Sequence, residues 1–274
     1  MLNPLKKIGK IFYDQAVKNK WSVKQKISNN SRYNEILKNG IVKLDENFIQ
    51  FSNYINETYI KKLINETDQV NFKVIDKRGS DENNILNHII GIDDENVRNF
   101  IENYELNEIL SLLFNNKVYL RNDPLIQVLK TRKKISNGNF HTDRYMQFSL
   151  MLLLEDVNED QTHMEYLEKS HIRKSFDFII HKNFKECEKY QKKNNFKIFK
   201  VIGKKGDAFL FNTTGVHRAN YILNTKRAIF HLNFTNGHNL YAFKINFDNS
   251  KIKNKIYLRN DPNLKFTSGK WRFF

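Results

Sequence analysis

Gly206-Asp207-Ala208-Phe209-Leu210-Phe211-Asn212 is a short aromatic run entered from a glycine, and Thr213-Thr214-Gly215-Val216-His217 follows it at once. Such a run predicts a strand entered from a tight turn, with a second turn delivering His217. Ten residues on, Arg227, Ile229, His231 and Asn233 alternate with Ala228, Phe230, Leu232 and Phe234. A period of two puts the first set on one face of a strand and the apolar set on the other. Working outward, similar β-branched and aromatic runs occur at 118–120, 126–129, 147–154, 197–202 and 241–247. No helix-length segments alternate regularly with them, so the texture predicts a β-sandwich or barrel.

Upstream the periodicity is helical. Phe48, Phe51, Ile55, Tyr59 and Leu63 fit one helix face, and Ile85, Ile89, Ile101, Leu106, Ile109, Leu112 and Leu113 suggest more helix. Only three prolines and ten glycines punctuate the chain. Without a Pro- or Ser-rich linker, the expectation is one domain over residues 1–274, with a mostly helical part at 1–115, a β core at 116–247 and a basic tail at 248–274. Trp271, Phe273 and Phe274 suggest that the tail docks or meets a partner. Leu5, Ile8, Phe12 and Ala16, ringed by lysines, predict an amphipathic helix that packs on its own domain, meets a partner or touches an acidic membrane surface. Tyr-Leu-Arg-Asn-Asp-Pro occurs at 119–124 and again at 257–262, too few copies for a repeat architecture.

The chain has 274 residues, 40% of them hydrophobic, enough for a real core. Its formal net charge of +16 favours an anionic partner such as nucleic acid, acidic lipid or a phosphorylated small molecule. Nine lysines between Lys182 and Lys205 face only Glu186 and Glu188 within that segment. They read either as a solvated surface or as a basic rim that draws in an anionic substrate. A single cysteine, Cys187, excludes an internal disulfide framework and any Cys-built metal site, and reads as an inert thiol. No stretch reaches the ~18 apolar residues of a membrane span and no secretory signal opens the chain, so a cytoplasmic protein is expected.

A metal site would therefore use His and carboxylates. His141 and Asp143 are two apart, on one face if extended, and precede the apolar run that begins at Phe148. His163 and Glu165 form a competing pair of the same form. Two His and one carboxylate on one face of a metal leave the opposite positions open, an arrangement suited to non-heme Fe(II) oxygenases. An arginine on a neighbouring strand, such as Arg227, can hold a carboxylate through its fork.

This ordered set resembles the phytanoyl-CoA dioxygenase-like family of Fe(II)- and 2-oxoglutarate-dependent oxygenases. Residues 39–44 look like its opening strand before a helix, His141-Thr142-Asp143 like its metal pair, and Thr162 to His171 like the segment that ends in Pro-Gly-Ser-His. Gly206-Asp207 through His217, Asn224 and Arg227 is similar to the rest of the series. Thr162, Glu168 and Lys169 depart from it, standing where Gly, Pro and Gly are usual. The resemblance implies a double-stranded β-helix, a cupin-like jelly roll. It implies that His141, Asp143 and His217 ligate Fe(II), that Arg227 pairs with the distal carboxylate of 2-oxoglutarate, and that O2 is the other co-substrate, with succinate and CO2 as co-products. Asp143 occupies the place a halide would need, so hydroxylation is expected rather than halogenation.

Other residues are open to two readings: His231 as support for the site or packing, His171 as a turn anchor rather than a ligand, Glu165 as a substrate contact or a solvated charge. Tyr145 and Gln147 are candidates to line the pocket. The expected substrate is an anionic small molecule or conjugate. The alternatives are a nucleic-acid oxygenase, although only Tyr190, Phe196 and Phe199 interleave with the lysines, and a catalytically silent barrel acting as a binding module.

Overall fold

The structure is a computed structural model that describes residues 28–61, 73–75, 84–90, 95–114, 118–120, 124–131, 140–143, 147–172 and 184–235. Helix α1 (Ser31–Asn39) starts where the Asn30 side chain accepts the Tyr33 N–H at 2.8 Å, and stops at Gly40, left-handed at φ +83°, whose N–H reaches Ile36 O at 2.8 Å. Strand β1 (Ile41–Lys43) follows, then α2 (Ile49–Ile55), which continues through a wider π turn (Asn56–Ile60). In that turn Ile55 and Ile60, five apart, are both buried, while Tyr59 is only half-buried. The wider pitch moves the buried position one residue past the helical register of the sequence.

Strands β2 (Lys73–Ile75) and β3 (Asn84–Ile90) precede helices α3 (Glu95–Ile101) and α4 (Tyr104–Phe114). Ile85 and Ile89, expected in a helix, therefore lie on a strand, and Leu112 points outward at 38% exposure while Leu113 is buried. The β region comprises β4 (Tyr119–Leu120), β5 (Leu125–Thr131), β6 (Phe148–Leu153), β7 (His163–Leu167), helix α5 (Phe184–Asn194), β8 (Ile198–Val201), β9 (Ala208–Asn212), β10 (His217–Asn220) and β11 (Thr225–Thr235). The chain enters β9 from Gly206 at φ +92°, the expected glycine turn. Leu63, the segments 5–16 and 241–247 and the second copy of the hexapeptide lie outside the described residues.

Pairing is antiparallel throughout the described strands. The large sheet runs β1-β9-β6-β11-β5-β3-β2 with β4 also on β11, and the small one runs β10-β7-β8. Strands β1 to β3, from the part expected to be mostly helical, are built into the large sheet. Between the sheets Met151, Leu153, Phe209, Phe211 and Ile229 meet Met164, Tyr166 and Val201. On the opposite face of the large sheet, Leu150, Leu152, Leu210, Phe230 and Leu232 meet the helices. Two packed antiparallel sheets with helices on one outer face form the jelly-roll core. Among the described residues no helix is long and apolar enough to cross a membrane.

The helix layer is seated by aromatic contacts. Phe230, fully buried, meets Phe51 and Phe100 edge-on at 5.2 and 5.6 Å, and those two rings stack at 4.2 Å. Truncating so enclosed a ring leaves a cavity under the helices. Phe230→Ala should cost about 3–5 kcal/mol of stability, read from urea unfolding, and a loss below about 1 kcal/mol would show that the layer closes over the gap.

Candidate metal centre

Backbone pairing brings the predicted ligands together. His141 and His217 exchange both main-chain hydrogen bonds, N to O at 2.9 Å in each direction. Two residues on, Asp143 N–H reaches Thr213 O at 2.9 Å, and Thr213 N–H reaches Gln147 O at 3.0 Å. The segment 140–143 is thereby laid along the turn into β10. His217 faces inward beside Tyr166, its partner across β7, and Phe211, whose ring centre is 5.6 Å away. One ligand atom from each of His141, Asp143 and His217 lies within 4.8 Å of the other two.

Their orientation suits a metal. The His217 Nδ1–H donates to Gly215 O at 3.0 Å, since a carbonyl can only accept, and this leaves the Nε2 lone pair for a ligand bond. Gln147 Nε2 donates to Asp143 Oδ2 at 2.7 Å and holds that carboxylate. Two imidazole nitrogens and a carboxylate oxygen within 4.8 Å of one another are a donor set that fits iron(II). Gly215 is required by contact: a Cβ there would lie 1.9 Å from Tyr166 Oη, the hydroxyl that donates to Asn212 O at 3.0 Å.

Arg227 lies on β11, 4% exposed, on the inward face with Ile229 and half-buried His231. Its Nη2 donates to Gln127 Oε1 at 2.9 Å, while Nε and Nη1 are buried and have no partner among the described residues. Burial lowers its pKa, against the opposing influence of Tyr221 and Glu155. Burial likewise raises the Tyr221 phenol, which Arg227 partly offsets. A buried guanidinium with two donor nitrogens to spare is a place for an anion.

Other candidates fall elsewhere. His163 and Glu165 are not part of the inward cluster: Glu165 Oε2 accepts from Arg218 Nε at 2.7 Å, and Asn220 and His163 flank the other oxygen at 3.2 and 3.6 Å. Glu165 is thus neither a solvated charge nor on the metal side. His171 is an anchor, its Nε2–H donating to Leu37 O at 2.9 Å, and the preceding turn forms with Lys169 left-handed at φ +64°. Asn224 sits at φ +60° in the exposed turn before β11. Tyr145 and the side chain of Cys187 lie outside the described set. The sequence offered Gln147 as a pocket-lining candidate, where it instead holds the Asp143 carboxylate, and gave no role to Gln127. A lone amide inside the apolar run 125–129 was the available signal for the latter.

The profile of the phytanoyl-CoA dioxygenase family matches residues 65–229, more than half of the chain and a span that holds His141, Asp143, His217 and Arg227. The chain belongs to the phytanoyl-CoA dioxygenase family. This family member is an oxygenase of the non-heme iron, 2-oxoglutarate-dependent kind. No curated protein matches it. Among solved structures it is similar to apo EctD from S. alaskensis, with 14% identity and a TM-score of 0.56 over 77% of this chain and 80% of that one. It is also similar to SnoK, the non-heme alpha ketoglutarate dependent carbocyclase from nogalamycin biosynthesis, at 16% and 0.52 over 76% and 83% of the two chains. A third is the epimerase SnoN, solved with Fe3+, alpha ketoglutarate and nogalamycin RO, at 13% and 0.52 over 84% and 95%. At such identities the likeness establishes the fold.

The Glu165 pair sets a pH dependence. Burial alone would raise this carboxyl, but His163 and Arg218 more than offset it and hold the pKa below the ordinary value of 4.5. A carboxylate depressed in the folded state contributes stability that is present above the unfolded pKa and lost as pH falls through the folded one. Glu165→Gln should therefore be less stable than the parent at pH 7. Thermal unfolding across a pH series should show the gap closing below about pH 4, and a gap that stays constant would contradict the ion pair.

Proposed function

We propose that the protein is an Fe(II)- and 2-oxoglutarate-dependent hydroxylase in which His141, Asp143 and His217 hold the iron and Arg227 pairs with the distal carboxylate of 2-oxoglutarate. The observation that carries this reading is the convergence of three ligand atoms within 4.8 Å in a sandwich whose inward face also carries a buried arginine with two nitrogens that have no partner among the described residues. When bound, the iron and 2-oxoglutarate supply the O2-consuming oxidation that releases succinate and CO2. Gly215 and Gln147 fix the directions of His217 and Asp143. Arg227 orients the co-substrate through charge and fork geometry, and the apolar lining of Phe209, Phe211 and Ile229 keeps water sparse around it.

The substrate is an anionic small molecule or conjugate. Lys189, Lys192 and Lys193 are exposed on α5, whose Tyr190 packs with Phe140 and Val216, the residues just before the two histidine ligands. The basic excess of this segment is smaller than its sequence count, because Lys200 and Lys204 are paired with Glu159 and Asp156 at 3.0 and 2.8 Å. The three exposed lysines support encounter with an anion near the ligand-bearing strands.

The test is succinate release and O2 uptake across acyl thioesters, nucleotides, sugar acids, phospholipid headgroups and single-stranded nucleic acid. Turnover is expected with one anionic small-molecule class, lost in His141→Ala, Asp143→Ala or His217→Ala. Normal turnover in any folded ligand variant would show that the triad is wrong.

Arg227→Ala should weaken 2-oxoglutarate binding ten- to hundredfold, the ~1.5–3 kcal/mol of a charged hydrogen-bond pair, with little change in metal affinity. Unchanged 2-oxoglutarate affinity by calorimetry would move that role to another cation. Replacing Lys189, Lys192 and Lys193 together by Gln should raise the substrate KM and flatten its salt dependence while kcat holds. A triple variant with the parent's salt response would reduce these lysines to a solvated face.

A further inference from the structure

His141 and His217 face the sandwich interior, so their neighbours Phe140 and Arg218 face the other way. Because His141 and His217 form an antiparallel bridge, Phe140 lies opposite Arg218, and the guanidinium carbon stands 4.4 Å from the centre of the Phe140 ring. On its other side Arg218 is paired in register with Glu165. Nε and Nη2 both lie 2.7 Å from Glu165 Oε2, and Asn220 Nδ2 donates to Oε1 at 3.2 Å. Phe140 is 2% exposed, Glu165 5% and the Arg218 side chain 15%. An exposed ion pair of this kind would be worth little, but withdrawn from water it is strong and directional.

We propose that Arg218 is a positioning residue of the metal centre. Gripped by Glu165 on β7 and stacked on Phe140, it sets the spacing and twist between the segment that carries His141 and Asp143 and the strand that carries His217. The inference deepens the function proposed above and rests on those three residues being the ligands. The mechanical need is visible in the backbone. Among the described residues, the main-chain hydrogen bonds between the two segments are the His141–His217 bridge and the Asp143 to Thr213 bond, a short ladder in which side-chain packing shares in limiting twist about the His141–His217 pair. A row of side chains on the reverse face, anchored to the neighbouring strand, limits that twist further. Lysine at 218 would keep the charge but lose both the planar fork and the stacking surface. Methionine at both 218 and 165 would keep packing and leave no orphaned charge, yet would remove the clamp.

Titration of the metal-free protein with Co(II), followed by its visible spectrum, tests this without calling on catalysis. The parent should bind, and His217→Ala should not. Arg218→Lys and the double variant Arg218→Met with Glu165→Met should bind about tenfold more weakly. At saturation their spectra should differ from the parent's, while their unfolding midpoints stay close to it. A role confined to stability would shift the midpoint and leave the saturated spectrum unchanged. Parent-like affinity and spectrum in the double variant, or in Arg218→Lys should the double variant not fold, would overturn the proposal. A parent that fails to bind Co(II), or a His217→Ala variant that binds as well as the parent, would instead overturn the ligand assignment on which it rests.

Discussion

The pair of main-chain hydrogen bonds between His141 and His217 is the constraint on which the rest of the site depends. It holds two imidazoles from segments more than seventy residues apart side by side, with ring centres 4.5 Å apart. Backbone geometry then decides the remainder. Asp143, two residues along an extended segment, returns to the same face, and its N–H is held by the turn that leads into His217. Gly215 serves that turn twice, giving its carbonyl to the His217 ring and leaving room for the Tyr166 hydroxyl. The chemistry of the site is thus a consequence of strand pairing more than of side chains that seek one another.

The same division between faces organises the electrostatics. The inward face of β11 carries Arg227, buried with spare donors, where an unneutralised cation would be costly unless an anion joined it. The reverse face of β10 carries Arg218, equally a cation but fully engaged with a carboxylate and a ring. One arginine keeps buried donors without a partner among the described residues and the other is engaged within the chain. Periodicity assigns the faces, and burial with partner geometry assigns the roles.

Much of this was legible in the sequence where one face of a strand is apolar. The alternation of 227–234 and the runs of β5, β6, β8 and β9 announced themselves because one side packs on helices or on the opposite sheet. Strands β7 and β10 did not. Their outward residues are polar, with His163 and Glu165 buried beneath half-buried Arg218 and Asn220, and Arg218 lies fifty-three residues from its partner, beyond any local pattern. Ile85 and Ile89 misled for a different reason, since a spacing of four shares a face in a helix and in a strand alike. Tyr59 failed by one position because a π turn widens the pitch. The cluster of His141, Asp143 and His217 was readable as an ordered set, while Gln127 and Gln147, which brace Arg227 and Asp143, gave only the weak signal of an amide in or beside an apolar run.

The most direct test of the account is an anaerobic titration of the protein with Fe(II), followed by 2-oxoglutarate, monitored by calorimetry and visible absorption. The account predicts a single tight Fe(II) site per chain, 2-oxoglutarate binding that depends on the metal, and a charge-transfer band that forms only when both are present. Binding of 2-oxoglutarate that ignores Fe(II), or no Fe(II) site in the folded protein, would contradict it.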